Sequence, residues 1–250
     1  MRQTPAQRHR MTAMAAMAAA SSTQNPHGEP TGSAYELTLA QLHAHMRTLK
    51  NIQSVERKIE AKRTMLGDFE AYLDGVLQAD AGGQDVVVGT LLVWHIDVGN
   101  FAQALALAEY ALRHAVALPD QYQRTLPTLL LDEVSEAAIA GKLTGPDALA
   151  YLAKVDMLTQ DHDAHDQARA KLHKAIGWAC MGKTSTNDAD PKDLPPDVAA
   201  LALKHLRRAM ELNDKVGVKK DIERLERAVD QLKKADSPPN DGGPDKGASA

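Results

Sequence analysis

The sequence predicts an all-α protein, and three observations lead to that prediction. Aromatic residues make up only 4% of the 250-residue chain, while Ala and Leu are abundant, a composition suited to helices packed through small side chains. Apolar residues recur at steps of three and four over long stretches. Gly- and Pro-containing segments separate these stretches. The expected architecture is a long coiled-coil-like helix followed by helical hairpins resembling tetratricopeptide units, in a chain that forms oligomers.

The first element is a short amphipathic helix over residues 1–20. Thr4-Pro5-Ala6-Gln7 combines an N-cap, a proline at the first helical position and a glutamine able to close a capping box. This basic, Ala-rich start also imitates a signal peptide, but its apolar stretch lacks Leu, and we expect the helix to stay on the protein. Residues 21–33, SSTQNPHGEPTGS, form a linker that isolates this helix.

A long coiled-coil-like region is predicted over residues 34–80. Its heptad-like seam consists of Tyr35, Leu39, Leu42, Met46, Leu49, Ile52, Val55 and Ile59. Such a stripe must be buried, either on the body of the same chain or on a copy of the helix from another chain. We therefore expect one long helix and a homo-oligomer.

Helical hairpins are predicted over residues 81–235. Gly99 is typical of a tight turn, and the small residues Ala104, Ala108 and Ala111 let two helices approach closely. A weaker copy places Gly177 in one helix and the stretch LALKHLRRAMELND in the next. Residues 236–250 are rich in Pro and Gly without an apolar run, which predicts a disordered acidic tail.

The stretch GWACMGKT, residues 177–184, has the spacing of a phosphate-binding P-loop, and LLLDE, residues 129–133, resembles a magnesium-binding strand. A P-loop lies between a strand and a helix. The preceding segment has helical spacing instead, the following segment cannot start a helix, and the two stretches come in the reverse order. We interpret GWACMGKT as a helix end with Gly182 as its C′ residue, and we expect no ATPase.

The stretch DHDAHD, residues 161–166, brings histidines and carboxylates together. His162 and Asp166, at i and i+4, have the spacing of a metal-binding pair. The alternative is a helix start with Asp163 as N-cap and Asp166 at N3. Because no third ligand can be located, we assign no metal site.

Four other residues are interpreted as structural. His43, His45 and His95 are expected to be surface or satisfied core histidines, and the single cysteine, Cys180, a buried inert thiol. No stretch approaches the roughly 18 to 20 apolar residues of a membrane span, so we expect no membrane partner.

Two stretches carry local positive charge although the whole chain has a formal charge of −4. Between Gln41 and Leu66 six bases stand against two acids, and between Leu201 and Lys234 ten bases stand against six, so each is +4. Such patches can neutralise phosphates, and the alternative is a solvated helix face. The candidate DNA contacts are Arg47, Lys50, Arg57, Lys58, Lys62, Arg63, Lys219, Lys220 and Arg224.

Four separated blocks resemble one known family. They are TPAQRHRMTAMAAM, LLVWHIDVGNFAQALALAEYALRH, RAKLHKAIGW and GVKKDIERLER. In sequence and order they are similar to the small terminase subunit of Peduovirus-type tailed phages, the gpM-like family. The resemblance runs from about residue 4 to residue 232.

The resemblance implies a component of the DNA-packaging machine in the host cytoplasm. It implies a homo-oligomer that binds viral double-stranded DNA at the cohesive-end site and works with a large subunit, which holds the ATPase. The family is also described as the endonuclease subunit. We expect no cofactor, with Mg²⁺ possible if the chain is a nuclease, because phosphodiester cleavage normally uses one or two Mg²⁺ ions held by carboxylates. No nuclease motif is visible, and if the chain cuts DNA its best candidates are Asp163, Asp166 and His162. A helical scaffold without DNA contact is the third possibility, and no clear helix-turn-helix is visible.

Overall fold

The computed structural model describes residues 4–21, 30–120 and 122–235, and its regular structure within these ranges is helical without strands. The all-α prediction is therefore confirmed. The predicted tail, residues 236–250, and most of the predicted linker, residues 22–29, lie outside the described residues. None of the described helices is long and apolar enough to cross a membrane.

Six helices form the first half of the chain. They are α1 (Pro5–Ser21), α2 (Ser33–Lys50), α3 (Val55–Leu66), α4 (Glu70–Ala79), α5 (Val86–Asp97) and α6 (Phe101–Arg113). The second half contains α7 (Leu126–Ile139), α8 (Gly145–Thr159), α9 (Asp166–Met181), a 3-10 turn (Pro191–Asp193), α10 (Pro196–Leu212) and α11 (Lys219–Ala235).

The principal helix contacts pass from one neighbour to the next. α1 packs on α4 and α2, while α2 and α3 pack on α5. α5 packs on α6, and α6 packs on α8. α7 packs on both α8 and α9, α9 packs on α10, and α10 packs on α11. The two basic stretches of the sequence therefore lie at different ends of this series.

The expected long helix is divided in two, so that prediction is wrong. α2 ends at Lys50, and Ser54 caps α3 by accepting a 3.3 Å hydrogen bond from the backbone amide of Arg57. A serine cap gives the backbone a local alternative to continuing the helix, which the heptad spacing does not reveal. Leu42 and Leu49 are buried against the same chain, whereas Val55 is 71% exposed. Oligomerisation through this seam stays a prediction.

The predicted capping box at the start of α1 is confirmed. The side chain of Gln7 accepts a 2.8 Å hydrogen bond from the backbone amide of Thr4, and the hydroxyl of Thr4 accepts one from the amide of Gln7 at 3.3 Å. Together they satisfy two amides that the first helical turn leaves without intrahelical partners.

α1 is not isolated from the body, contrary to the expectation for its linker. Its buried Ala15 and Ala19 face inward, and it packs closely on α4 at Gly75. A Cβ atom at Gly75 would lie 2.3 Å from the carbonyl oxygen of Thr12 and 2.7 Å from the Cβ of Ala15. Small residues thus allow the backbones of α1 and α4 to come into contact. The composition of the linker, from which isolation of α1 was predicted, carries no information about this long-range contact.

Both predicted hairpins are present. Gly99, at φ 78°, forms the turn between α5 and α6, and the following alanines, Ala104, Ala108 and Ala111, are at most 2% exposed. Between α9 and α10 a Cβ at Gly177 would lie 2.4 Å from Cδ2 of Leu206, so these helices also approach closely. The likeness of these hairpins to tetratricopeptide units stays a prediction.

The P-loop-like stretch is a helix end, as predicted. α9 continues to Met181, and Gly182 terminates it in the left-handed conformation at φ 69°. The backbone amide of Lys183 donates a 2.8 Å hydrogen bond to the carbonyl of Trp178. LLLDE lies within α7, where Leu130 is buried. Neither stretch has the strand that a P-loop ATPase requires.

Candidate nucleic-acid interface

Lys183, the lysine of the P-loop-like stretch, is held in an intramolecular ion-pair network. Its ammonium group lies 2.6 Å from Oδ1 of Asp221 and 3.1 Å from Oδ1 of Asp188. Trp178 donates its indole N–H to the second carboxylate oxygen of Asp221 at 2.9 Å. Burial opposes the charged lysine, but the hydrogen bonds to both aspartates outweigh it and raise the pKa of Lys183. This lysine therefore stabilises the contact between α9 and α11.

Arg224, a predicted DNA contact, belongs to the same network. Its guanidinium donates hydrogen bonds of 2.9 and 3.2 Å to the two oxygens of Asp188 and one of 3.0 Å to the carbonyl of Ala189. The hydrogen bond from Lys183, and after it those from Arg224, hold the pKa of Asp188 below its usual value. A guanidinium so engaged would have to break three bonds to meet a phosphate.

Lys62 and Arg63 on α3 are also paired within the chain. Lys62 donates to Oδ2 of Asp97 on α5, and its ammonium lies 5.8 Å from the ring centre of Trp94. Arg63 donates to Glu60 one helical turn earlier. The positive charge of the second half of α3 is therefore largely neutralised by neighbouring carboxylates.

Four of the nine predicted contacts form a free basic surface. Arg47 and Lys50 lie at the end of α2, and Arg57 and Lys58 at the start of α3, with the turn of residues 51–54 between them. Arg47, Lys50 and Arg57 are exposed, Lys58 is partly buried, and none of the four side chains has an ion-pair or hydrogen-bond partner among the described residues. Residues 47–58, which we name the α2–α3 corner, carry four bases against Glu56, a net charge of 4 − 1 = +3.

The second basic stretch is only partly paired within the chain. Arg207 pairs with Glu226 and Arg208 with Glu211, at 2.7 and 3.0 Å. Lys219 and Lys220 at the start of α11, and Lys204 and Lys215 before them, are exposed and have no side-chain partner within the described ranges. The sum of +4 already counts these acids, so the pairing determines which side chains are free and leaves the net charge of the stretch unchanged.

The DHDAHD stretch is a loop followed by a helix start. α9 begins at Asp166 with His165 in the N-cap position, so the predictions of Asp163 as N-cap and Asp166 at N3 are wrong. Arg169 donates to the backbone carbonyls of Thr159 and His162 and thereby fixes the loop before the helix. That long side chain reaches back over seven to ten residues, which the pattern of Asp and His does not indicate.

The catalytic candidates Asp163, Asp166 and His162 are not gathered into a metal site. Across the described parts of the chain no group of three or more His, Cys, Asp or Glu side chains could hold a metal ion. Asp163 and Asp166 are exposed to solvent, where carboxylates are hydrated rather than held in a fixed geometry. The three candidates therefore form no three-ligand metal site within the described residues.

A groove between α7 and α9 brings together charged residues that sequence reasoning did not connect. It has a volume of about 390 Å³, and its lining includes Asp132, Glu136, His165 and Lys171. Lys171 lies 2.8 Å from Oδ1 of Asp132 and 3.9 Å from Oε2 of Glu136, so the two acids share one ammonium group. The only sequence signal was the i, i+4 spacing of the two acids on one helix.

The remaining histidines and the cysteine have structural surroundings. His43 is exposed, and His45 lies 3.1 Å from a carboxylate oxygen of Asp68. His95 is only 5% exposed, and neither of its ring nitrogens has a hydrogen-bond partner within the described residues, so the expectation of a satisfied histidine is wrong there. Cys180 is buried as predicted, and burial raises the pKa of its thiol.

Comparison with known proteins places the free basic surface inside a family domain. The family model described as phage small terminase subunit matches residues 39–167, from α2 to the start of α9. The chain belongs to the phage small terminase subunit family. This confirms the resemblance seen in the sequence. The matched range includes the whole α2–α3 corner of the terminase subunit and excludes Lys219, Lys220 and Arg224.

Two curated relatives support the same assignment over most of the chain. The terminase, endonuclease subunit of Escherichia phage P2 is 38% identical over 228 residues, which are 90% of this chain and 85% of the relative. The probable terminase, endonuclease subunit of Haemophilus phage HP1 is 25% identical over 210 residues, 82% of this chain and 73% of the relative. No solved structure matches this small terminase subunit.

Proposed function

We propose that this small terminase subunit binds viral double-stranded DNA at the cohesive-end site through the α2–α3 corner. The observation that carries the proposal is the group of four basic side chains without intramolecular partners, Arg47, Lys50, Arg57 and Lys58. Their location inside the family-matched range supports it further. Lys219 and Lys220 are proposed as auxiliary contacts, whereas Lys62, Arg63 and Arg224 stabilise the fold.

Within this proposal the subunit acts in the host cytoplasm together with the ATPase large subunit in genome cutting and packaging. Basic side chains bind DNA by displacing counterions from phosphates, and the binding constant then falls steeply with salt. Four contacts correspond to a slope of about −3.6 in log K against log salt concentration. A homo-oligomer would present several corners to one DNA molecule and convert weak contacts into avid binding.

The test is the binding of the purified subunit to its phage's cohesive-end fragment and to a scrambled fragment over a range of salt concentrations. The variant with Arg47, Lys50, Arg57 and Lys58 all changed to Ala should lose most of its affinity and salt dependence. A matched control changes Arg207 and Arg208, which are already paired with acids, and should bind nearly as wild type. Equal weakening in both variants would refute the corner as the binding surface.

A second candidate is the endonuclease itself, which the names of both relatives favour. Because no group of three or more possible metal ligands occurs among the described residues, we assign no metal-dependent step to any of them. Incubating the isolated subunit with Mg²⁺ and the cohesive-end fragment separates the candidates. Intact DNA favours the binding subunit. Cutting that is lost in Asp163→Ala, Asp166→Ala or Asp132→Asn would establish a nuclease near the α8–α9 loop and the adjoining groove.

A helical scaffold that never touches DNA is the remaining alternative. It predicts no salt-sensitive binding to either fragment, at any subunit concentration. The salt titration therefore separates this scaffold from the other two functions, and the incubation with Mg²⁺ separates the binding subunit from the nuclease.

A further inference from the structure

α1 packs on α2, and the outer sides of the two helices carry exposed apolar side chains. We name them the α1–α2 face, which consists of Met14 and Met17 on α1 and Leu37, Ala40 and Ala44 on α2. These residues follow one another at steps of three and four, so each set lies along one side of its helix. Met17 is 74% exposed and Leu37 is 63% exposed, although folded proteins usually bury methionine and leucine.

The α1–α2 face contains a groove beside Leu37. The groove has a volume of about 210 Å³ and is lined by Met14, Met17 and Ala18 of α1 and by residues 31–34 of the start of α2, none of which is charged. Leu37 follows residue 34 by one helical turn, and its side chain leans back toward the groove because Cα–Cβ bonds tilt toward the N-terminus of a helix. One surface therefore offers both an exposed apolar side chain and an apolar groove.

This outer side of α2 is distinct from its heptad seam. Tyr35, Leu42 and Leu49 of the seam are buried within the chain. Leu37 and Ala44 each stand two residues after a seam residue, which is about 200° around a helix of 3.6 residues per turn. The seam thus packs inward, and the α1–α2 face points away from it.

The charges around the α1–α2 face are complementary to those of a second copy. Residues 11–20 of α1 contain no charged side chain. At the rim lie Arg10, four residues before Met14, and Glu36, next to Leu37, and both are exposed without a side-chain partner among the described residues. Two copies related by a two-fold axis present the same patch to each other, so that each opposite charge can meet its counterpart while the uncharged centres meet.

From these observations we infer that the α1–α2 face joins two copies of this chain in an isologous dimer. Leu37 of each copy enters the groove of the other, and Arg10 of each pairs with Glu36 of the other. The inference goes beyond the proposed DNA binding and does not depend on it. Arg47 lies ten residues beyond Leu37, about 15 Å along α2, so the dimer leaves both α2–α3 corners free for DNA.

The experiment measures the molar mass of the full chain by sedimentation equilibrium over a range of concentrations. Leu37→Glu and Met17→Glu place a charge in the α1–α2 face, where the dimer would have to bury it without a partner. Met157→Glu is the matched control, because Met157 is 56% exposed on α8, outside this face. Circular dichroism checks that every variant keeps its helices.

The wild-type mass should rise with concentration from that of one chain to that of two. Leu37→Glu and Met17→Glu should each raise the dissociation constant of the dimer by at least about tenfold, whereas Met157→Glu should leave it unchanged. Arg10→Glu and Glu36→Arg should each weaken the dimer, and the two changes combined should restore it, because the pair is then re-formed with exchanged signs. Only contact between copies gives this rescue.

Four outcomes would overturn the inference. One is a wild-type chain that stays monomeric at every concentration. Another is a dimer that Leu37→Glu and Met17→Glu leave intact. Loss of stability in a monomeric Leu37→Glu variant would assign the face to a segment of the same chain, and loss of large-subunit binding by a monomeric subunit would assign it to that partner. The α2–α3 corner is tested separately by the DNA titration.

Discussion

Lys183 and Asp221, which are 38 residues apart in the sequence, are joined by a 2.6 Å hydrogen bond between the end of α9 and the first turn of α11. The side chain of Asp221 is 5% exposed and that of Lys183 is 16% exposed. The lysine that suggested a nucleotide site is therefore the counter-charge of a buried carboxylate, whose other oxygen accepts the indole N–H of Trp178.

Changing Lys183 to Met should destabilise the protein without affecting any nucleotide binding. Removing one partner of a buried ion pair leaves an uncompensated charge and costs about 3 to 5 kcal/mol, and the residual exposure of Lys183 favours the lower end. Urea unfolding of the variant measures this loss. Arg207→Ala, which breaks the exposed pair with Glu226, is the control and should cost at most about 1 kcal/mol. Equal costs for both variants would contradict the role of Lys183.

The close contact of α1 with α4 gives a second prediction. Gly75→Ala should destabilise the protein by at least about 1 to 3 kcal/mol, because the new methyl group would collide with the backbone of α1 at Thr12. Gly67→Ala is the matched control, since the nearest atom to its added Cβ is the carbonyl oxygen of Thr64 at 3.8 Å. Limited proteolysis should release the α1 segment from the first variant and spare it in the second. Protection of α1 in Gly75→Ala would show that the contact is dispensable.

Acidification should destabilise the protein through His95. Burial lowers the pKa of this imidazole from its ordinary value of 6.5 to about 4. The folded state therefore binds a proton on His95 less readily than the unfolded state does. The stability that the neutral His95 contributes is fully present above pH 6.5, and it is lost as the pH falls toward about 4. Unfolding free energies measured across this range should fall less steeply in His95→Leu than in wild type. His43→Leu, on the exposed side of α2, should leave the slope unchanged.

His173 and His205 form a second titrating feature between α9 and α10. Their Nδ1 atoms lie 3.0 Å apart, so one ring donates a hydrogen bond to the other. Burial, and then the neighbouring His205, lowers the pKa of His173, while Asp156 on α8 opposes this effect. In His205→Gln the pKa of His173 should rise toward its ordinary value, because the like charge is removed. An NMR titration of labelled histidines measures it, and an unchanged pKa would exclude coupling between the rings.

Local features were predictable because their causes lie close together in the sequence. The capping box of Thr4 and Gln7 and the Gly182 helix end each depend on residues within a few positions, and the structure has both. The break between α2 and α3 was missed although Ser54 is a good N-cap, because the apolar heptads on either side continue without interruption. The apolar heptads favour one continuous helix, whereas the Ser54 cap favours a new helix start. The structure follows the cap.

The candidate site was predictable only in part. The sequence identified the bases of residues 47–63 and 219–224, but charge counting treats each cation alike. In the folded chain Lys62 meets Asp97 and Arg224 meets Asp188, partners that are 35 and 36 residues away. The sequence did not indicate the groove lined by Asp132 and Lys171, because these two residues are 39 positions apart.

The sequence by itself determined the helical class, the hairpins, the absence of a P-loop and the family, since periodicity, caps, turns and sequence similarity are properties of the chain's order. The tertiary structure alone decided which basic side chains are paired with acids and which have no partner among the described residues. An ion pair forms where folding brings opposite charges within about 4 Å, and that distance depends on helix packing rather than on separation along the chain. Among the described residues, folding brings no acid within ion-pair distance of the four cations of the α2–α3 corner.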